Sequence, residues 1–158
     1  MLFQRVNRSN PEKIFIVAKN SYDTASLTNG QSAMWDYASD ADGVGVTKPA
    51  SQTARAGSLG TAFAGIAAET IASGEYGLLQ VYGYHSAVRV RTNSGAQPAI
   101  AAGTALTQKS AVFCLESADP CPEATSTVTV VNFQWVGFAL AANALFTTAA
   151  IAVFIKAL

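Results

Sequence analysis

His85 is the single histidine of the 158-residue chain, and so the side chain whose ordinary pKa best suits proton transfer near neutrality. A histidine-based nucleophilic centre also needs a nucleophile on a turn such as GxSxG and an acid that orients the ring. The chain carries no such elbow and no Cys/His protease signature. His85 therefore reads as a surface or interface residue. Asp36, Asp40 and Asp42, with Gly43 and Gly45 behind them, suggest a calcium loop. That loop requires a bidentate Glu at its twelfth position, and counting from Asp40 the position holds Ser51, so a solvated turn is the better reading. Cys114, Cys121 and His85 fall short of the four ligands of a structural zinc site, and there is no CxxC pair. The two cysteines bracket Leu-Glu-Ser-Ala-Asp-Pro, a loop that could bring the sulfurs together; free thiols and a disulfide formed later both stay open. Gly57-Ser58-Leu59-Gly60 lacks the Lys-Ser/Thr of a phosphate loop, and Gly43-Val44-Gly45 lacks the third glycine of a dinucleotide fingerprint. The expectation is a chain with no catalytic centre, no metal and no cofactor.

With no chemistry to position, the elements themselves become informative. Gly65-Ile66-Ala67 leads through a small, polar stretch into Leu79-Gln80-Val81-Tyr82, and seventy-two residues on, Gly137-Phe138-Ala139 leads through a similar stretch into Ile151-Ala152-Val153-Phe154. This is one hairpin used twice, a loose repeat of the kind that marks a scaffold. Lys13-Ile14-Phe15-Ile16-Val17-Ala18 is a strand running into a polar loop with Asn20, Asp23, Asn29 and Gly30. Residues 31–60 show little periodicity and read as an irregular excursion that exposes Trp35 and Tyr37. The clearest strand is 76–91. There Val88 and Val90 share one face while Arg89 and Arg91 take the other with His85, and Gly83 marks a bend or bulge. Asn93-Ser94-Gly95 turns the chain, Ile100-Ala101-Ala102-Gly103 repeats Ile71-Ala72-Ser73-Gly74, and strands follow at 111–115 and 128–136 before the terminal hairpin. A helix over residues 53–68 competes on alanine content, weakened by three glycines. Many short strands with turn residues between them give an all-β fold: a compact sandwich or barrel of short antiparallel strands with an extended N-terminal arm. The division expected is 1–59, arm and irregular region, and 60–158, the β domain.

Ten basic and ten acidic residues cancel and charged residues make up 13% of the chain, so neither phosphate backbones nor anionic lipid would be attracted. Arg89 and Arg91 beside Tyr82 and Tyr84 are too sparse a charge for nucleic acid and suit a subunit contact instead. Hydrophobic residues at 50%, many of them alanine, fit either a well-filled core or surface covered by other subunits. The first residues lack the apolar segment of a signal peptide, which implies synthesis in the cytoplasm without export. Residues 124–155 carry no charge and 135–155 are long enough to imitate a membrane span. Asn143, Thr147 and Thr148 interrupt them, and the alternation at 150–155 is that of a strand, so no membrane is expected.

Three stretches carry a family likeness: Ile71-Ala-Ser-Gly-Glu-Tyr-Gly-Leu-Leu-Gln-Val-Tyr-Gly-Tyr84, Ile100-Ala-Ala-Gly-Thr-Ala-Leu106, and Val136-Gly-Phe-Ala-Leu140 with the aliphatic strand after it. In these the chain resembles the capsid decoration, or cement, proteins of tailed bacteriophages, over residues 60–158. The resemblance implies a small β-rich protein that binds the outside of an icosahedral head, commonly as a trimer, and locks major capsid protein subunits together without catalysis. Its partners would be the major capsid protein and copies of itself, on the outer surface of the virion. Residues 1–59 match no motif of the family. Reasoning from residue type alone, Phe3, Arg5, Arg8 and Phe15 of the arm, with Trp35 and Tyr37, are the expected capsid anchors, while Tyr82, Tyr84, His85, Arg89 and Arg91 are the expected oligomer contacts. The competing reading is a small β-barrel that holds an apolar ligand against Tyr76, Tyr82, Phe133 and Trp135.

Overall fold

The computed structural model describes residues 12–21, 25–36, 40, 42–48, 63–91, 101–108, 123–124, 134–143 and 148–157. The regular elements among them are strands: β1 (Ile14–Asn20), β2 (Ser32–Trp35), β3 (Gly45–Thr47), β4 (Phe63–Ala67), β5 (Tyr76–Arg91), β6 (Ala105–Gln108), β7 (Glu123–Ala124), β8 (Gln134–Ala139) and β9 (Thr148–Lys156). They form one sheet in the order β1-β3-β2-β4-β5-β7-β6-β8-β9, with extra pairings of β5 to β1 and of β5 to β9.

Those two pairings close the sheet on itself twice. β1, β3, β2, β4 and the first half of β5 make one ring; the second half of β5 with β7, β6, β8 and β9 makes another. The fold is all-β as expected, of the barrel kind. Both rings follow the same strand order, and in both the first strand runs parallel to the third while the other pairings are antiparallel. The two parallel pairings correct the expectation of a purely antiparallel sheet. β5, sixteen residues long, is the last strand of the first ring and the first strand of the second.

The correspondence is residue by residue. Ser32, Ala33 and Met34 face Ile66, Gly65 and Phe63, and Ala105, Leu106 and Thr107 face Phe138, Gly137 and Trp135; each pairing carries one extra residue, at Ala64 and at Val136. Gly65 and Gly137 share an unusual backbone angle, φ 157° and 155°. A side chain at Gly137 would place its Cβ 2.0 Å from the Phe154 carbonyl oxygen, so only glycine fits. Ahead of β2, the Gly30 amide donates to the Ala67 carbonyl (2.8 Å) and the Ala67 amide to the Gln31 carbonyl (2.8 Å). Ahead of β6, the Gly103 amide donates to Ala139 (2.7 Å) and the Ala139 amide to Thr104 (2.8 Å). Even the side chain that closes each turn corresponds: Gln31 Oε1 accepts from the Thr28 amide, and Thr104 Oγ1 from the Ala101 amide.

The repeat therefore embraces whole modules and not only a hairpin, and β1, β2 and β3 belong to the first copy. The stretch expected to be an irregular excursion contains β2 and β3, strands of four and three residues that are too short to show a period in sequence. The likeness of Ile71-Ala72-Ser73-Gly74 to Ile100-Ala101-Ala102-Gly103 joins turns at different places, since the partner of Gly103 by register is Gly30. Within the helix candidate over 53–68, Phe63–Ala67 is a strand. The N-terminal arm before Glu12, the rest of that helix candidate, the turn at Asn93-Ser94-Gly95, the strands at 111–115 and 128–133, and Cys114 and Cys121 lie outside the described residues.

Each ring has its own core. The first is lined by Ala18, Ala33, Ala64, Ala67 and Leu79 with Leu27, Val46 and Ile71. The matching positions of the second are Val88, Leu106, Val136, Ala139 and Val153, joined by Val90, Ile151 and Ile155. Bulk is exchanged between positions: a Cβ on Gly77 would come 2.5 Å from the Ile71 side chain, whereas the matching pair in the second ring is Ile151 and Asn143. The extra residue at Ala64 puts Phe63 and Ile66 on the face opposite Ala64 and Ala67. Phe63 and Ile66 consequently pack into the second core, and β4, buried along its whole length, is the wall between the two.

Candidate partner-binding surface

Alternation along β1 and the first half of β5 turns Ala18 and Leu79 inward and leaves Phe15, Val17, Tyr76 and Leu78 outward. Val17 sits opposite Leu78, and Lys19 opposite Tyr76. All four apolar side chains are exposed, Val17 by 60% and Tyr76 by 62%. A solvent-facing side of an antiparallel pair is normally polar, so a contiguous apolar group there marks a contact surface. Glu69 lies at its rim, where its carboxylate accepts from the Leu78 amide at 2.9 Å.

A second apolar face lies on the other module. Tyr84, Phe154 and Phe138 stand in register across β5, β9 and β8, with Leu140 just beyond the end of β8. Tyr84, Phe138 and Leu140 are exposed. Phe154 is half-buried and meets the ring of Tyr82 edge to face, with centroids 5.3 Å apart and planes at 81°. Leu140 is held by its amide, which donates to the Ala152 carbonyl at 2.8 Å.

His85 is not on the surface, which corrects the sequence expectation. The pairing of β5 with β9 runs from His85–Val153 to Val88–Ile151, so β5 carries one residue more than its partner. An extra residue reverses the facing of everything beyond it, so His85 points inward with Val88 and Val90, away from the side of Arg89. Its Nδ1 accepts from the Ala87 amide at 3.1 Å, and the ring makes a further hydrogen bond to the Ala67 backbone. Burial, with the charge of Lys13 adding to it, holds the His85 pKa below its ordinary value, against the opposing effect of the Ala67 bond. The neutral ring thus ties β4 of the first module to the bulge of the second. Beside it, the Arg89 amide donates to the Gly30 carbonyl at 2.9 Å.

Gln80 has a role that sequence reasoning missed. It is buried, and its Nε2 donates to the carbonyls of Tyr82 (3.0 Å) and Tyr84 (3.1 Å), satisfying backbone around an irregular stretch of β5. The register against β1 slips there, from Phe15–Gln80 to Ile14–Tyr82, next to Gly83 with its φ of 98°. The only signal for Gln80 was a polar residue in an apolar strand.

Of the other expected contact residues, Phe15 and Tyr84 are exposed, Tyr82 and Arg89 are half-buried, and Arg91 pairs through its backbone with Thr148 and Glu123. Trp35 differs from expectation: it is half-buried against Met34 and the first core. Phe3, Arg5, Arg8 and Tyr37 lie outside the described residues. The aspartates build a turn, in which the Asp40 carboxylate accepts from the amides of Gly45 and Asp42, while Asp36 is buried at the end of β2. Among the described residues no group of three or more His, Cys, Asp or Glu is arranged to hold a metal. Nor do Tyr76 and Tyr82 line an interior, as the ligand-barrel reading required: Tyr76 is exposed and Tyr82 half-buried on the outward face, while Phe133 and the Trp135 side chain lie outside the described residues.

No family model and no curated protein matches the chain. Among solved structures it is similar to the N base of the head fiber gp8.5 of bacteriophage phi29, at 14% identity and a TM-score of 0.46, over 93% of this chain and 98% of that one. That identity and score are too low for the likeness to carry a function.

Proposed function

We propose that the protein is a non-enzymatic structural component of a tailed-phage virion. It binds the outer surface of an icosahedral head, as a homo-oligomer with a trimer favoured, and stabilises the contacts between major capsid protein subunits. The stretches at 71–84, 100–106 and 136–140 that resemble decoration proteins support this reading, and the apolar outward face of Phe15, Val17, Tyr76 and Leu78 carries it. That face lies on two paired strands of a closed ring, so little side-chain and no backbone ordering is needed on docking. Phe3, Arg5 and Arg8 precede β1 in sequence and would extend the same contact.

With so little charge, binding would depend on apolar area and on several weak contacts acting together, each raising the effective concentration of the next. It would accordingly vary little with salt. Co-sedimentation with empty heads tests the proposal. Val17→Asp and Tyr76→Ser should each weaken binding by at least about tenfold, the effect of losing a contact residue of moderate weight, with an unchanged circular dichroism spectrum. If both variants bind as the parent does, the face is not the grip; if the parent does not bind heads at all, the proposed function is wrong.

A further inference from the structure

Asp36 is a buried charged group that the packing of the first ring leaves unexplained. It is 5% exposed, and among the described residues its Oδ1 is enclosed without a hydrogen-bond partner. A carboxylate taken out of water is costly unless a hydrogen bond or a positive charge meets it, so an orphaned one marks the place of a ligand. Register shows where it points. Trp35 stands opposite Val46 and packs against the first core. Asp36, one residue on, therefore faces the outer side of the ring, opposite Gly45, whose carbonyl accepts from the Asp36 amide at 2.9 Å.

Other oxygens gather over Gly45. A Cβ there would stand 2.6 Å from Asp40 Oδ2 and 2.6 Å from Ser21 Oγ. The Asp40 carboxylate is fixed by the amides of Gly45 and Asp42, and Ser21 by its own amide, which donates to the Val46 carbonyl at 2.8 Å. The ends of β1 and β2 and the turn before β3 thus bring two carboxylates and a hydroxyl to one residue that has no side chain. We propose that Asp36, Asp40 and Ser21 bind a divalent cation, and that the ion is calcium. Calcium takes about six to eight oxygens in a flexible arrangement, so backbone carbonyls and water can complete the shell around two acidic side chains, whereas magnesium demands a near-ideal octahedron. Bound there, the ion ties β1, β2 and β3 together at the end of the first ring. The outward apolar face is its neighbour, since Lys19 is in register with both Gly45 and Tyr76.

The full-length protein is freed of metal with EDTA and titrated with calcium chloride by isothermal calorimetry. Saturable binding of a single ion is expected, with a Kd of about 10⁻⁴–10⁻³ M, the weak end of calcium sites. In about 10 mM calcium the melting temperature should rise by roughly 3–10 °C. Asp36→Asn and Asp40→Asn should each weaken calcium binding by at least about tenfold, with an unchanged circular dichroism spectrum. In EDTA, Asp36→Asn should melt no lower than the parent, because it removes a buried charge. A parent that takes up no calcium overturns the proposal, as does a folded Asp36→Asn or Asp40→Asn chain that binds calcium as the parent does. An Asp36→Asn chain less stable than the parent in EDTA also overturns it, for the carboxylate would then be held within the chain, with Lys19 as the first candidate. None of these measurements involves heads, so their outcome is independent of the proposed function.

Discussion

A single inserted residue decides what His85 can do. Counted by twos along β5, His85 belongs with Arg89 on the outside; the extra residue before Val88 brings it inside, where Nδ1 accepts from the Ala87 amide. Nothing in the letters Tyr84-His85-Ser86-Ala87-Val88 marks a bulge, because it exists only relative to the partner strand β9. Placed so, His85 titrates against the fold. Its folded pKa lies below the ordinary 6.5, so as acid is added the unfolded chain takes up the proton first. The contribution to stability is whole above about pH 6.5 and diminishes as pH falls from there toward the lower folded value. Denaturant midpoints measured above and below that range should fall for the parent and fall less for His85→Gln. Equal slopes for the two proteins would mean that the ring plays no such part. The other residues chosen from sequence fared according to how local their cues were. Phe15 and Tyr84 follow the simple alternation of a strand and are exposed, whereas Trp35, on a strand of four residues, is half-buried by a core that only the closed ring creates.

At the level of strands, the two hairpins were legible because glycine, a short apolar run and a long apolar run recur in the same order, although by register Leu79 matches Val153 and not Ile151, two residues beyond the spacing of Gly65 and Gly137. The remainder of the repeat was not, because matching positions hold different residues to fill differently sized rings: Ala18 against Val88, Ala33 against Leu106, Ala64 against Val136. Bulk at one position is set by its neighbour, as Ile71 lying over Gly77 shows, and the matching positions in the second ring hold Asn143 and Ile151. This gives a measurable coupling. Ile71→Ala should cost about 2–5 kcal/mol through the cavity it leaves, and Gly77→Ala about 1–3 kcal/mol through overpacking against Ile71. The double variant should be more stable than their sum predicts by about 0.5–3 kcal/mol, since the new methyl occupies part of the vacated space. Additive losses in urea unfolding would refute the exchange of bulk.

For the whole molecule, the expected boundary near residue 59 gives way to a continuous joint. β5 belongs to both rings, β4 is buried in both cores, and the Arg89 amide is bonded to the Gly30 carbonyl across the junction. Neither module can open without exposing surface of the other, so thermal unfolding should be one transition with equal calorimetric and van't Hoff enthalpies. Two resolved transitions would show that the modules are independent. The shared strand also has a mechanical meaning. Sixteen residues of extended chain span at most about 54 Å at roughly 3.4 Å each, less what the bulge before Val88 and the bend at Gly83 take up, and the antiparallel neighbours β1 and β9 grip opposite ends of that length. A pull along β5 would load both sets of hydrogen bonds in shear, so that many must yield together and none can be peeled away in turn. The strand that joins the modules is thereby also a tie rod, transmitting tension from whatever holds one ring to whatever holds the other.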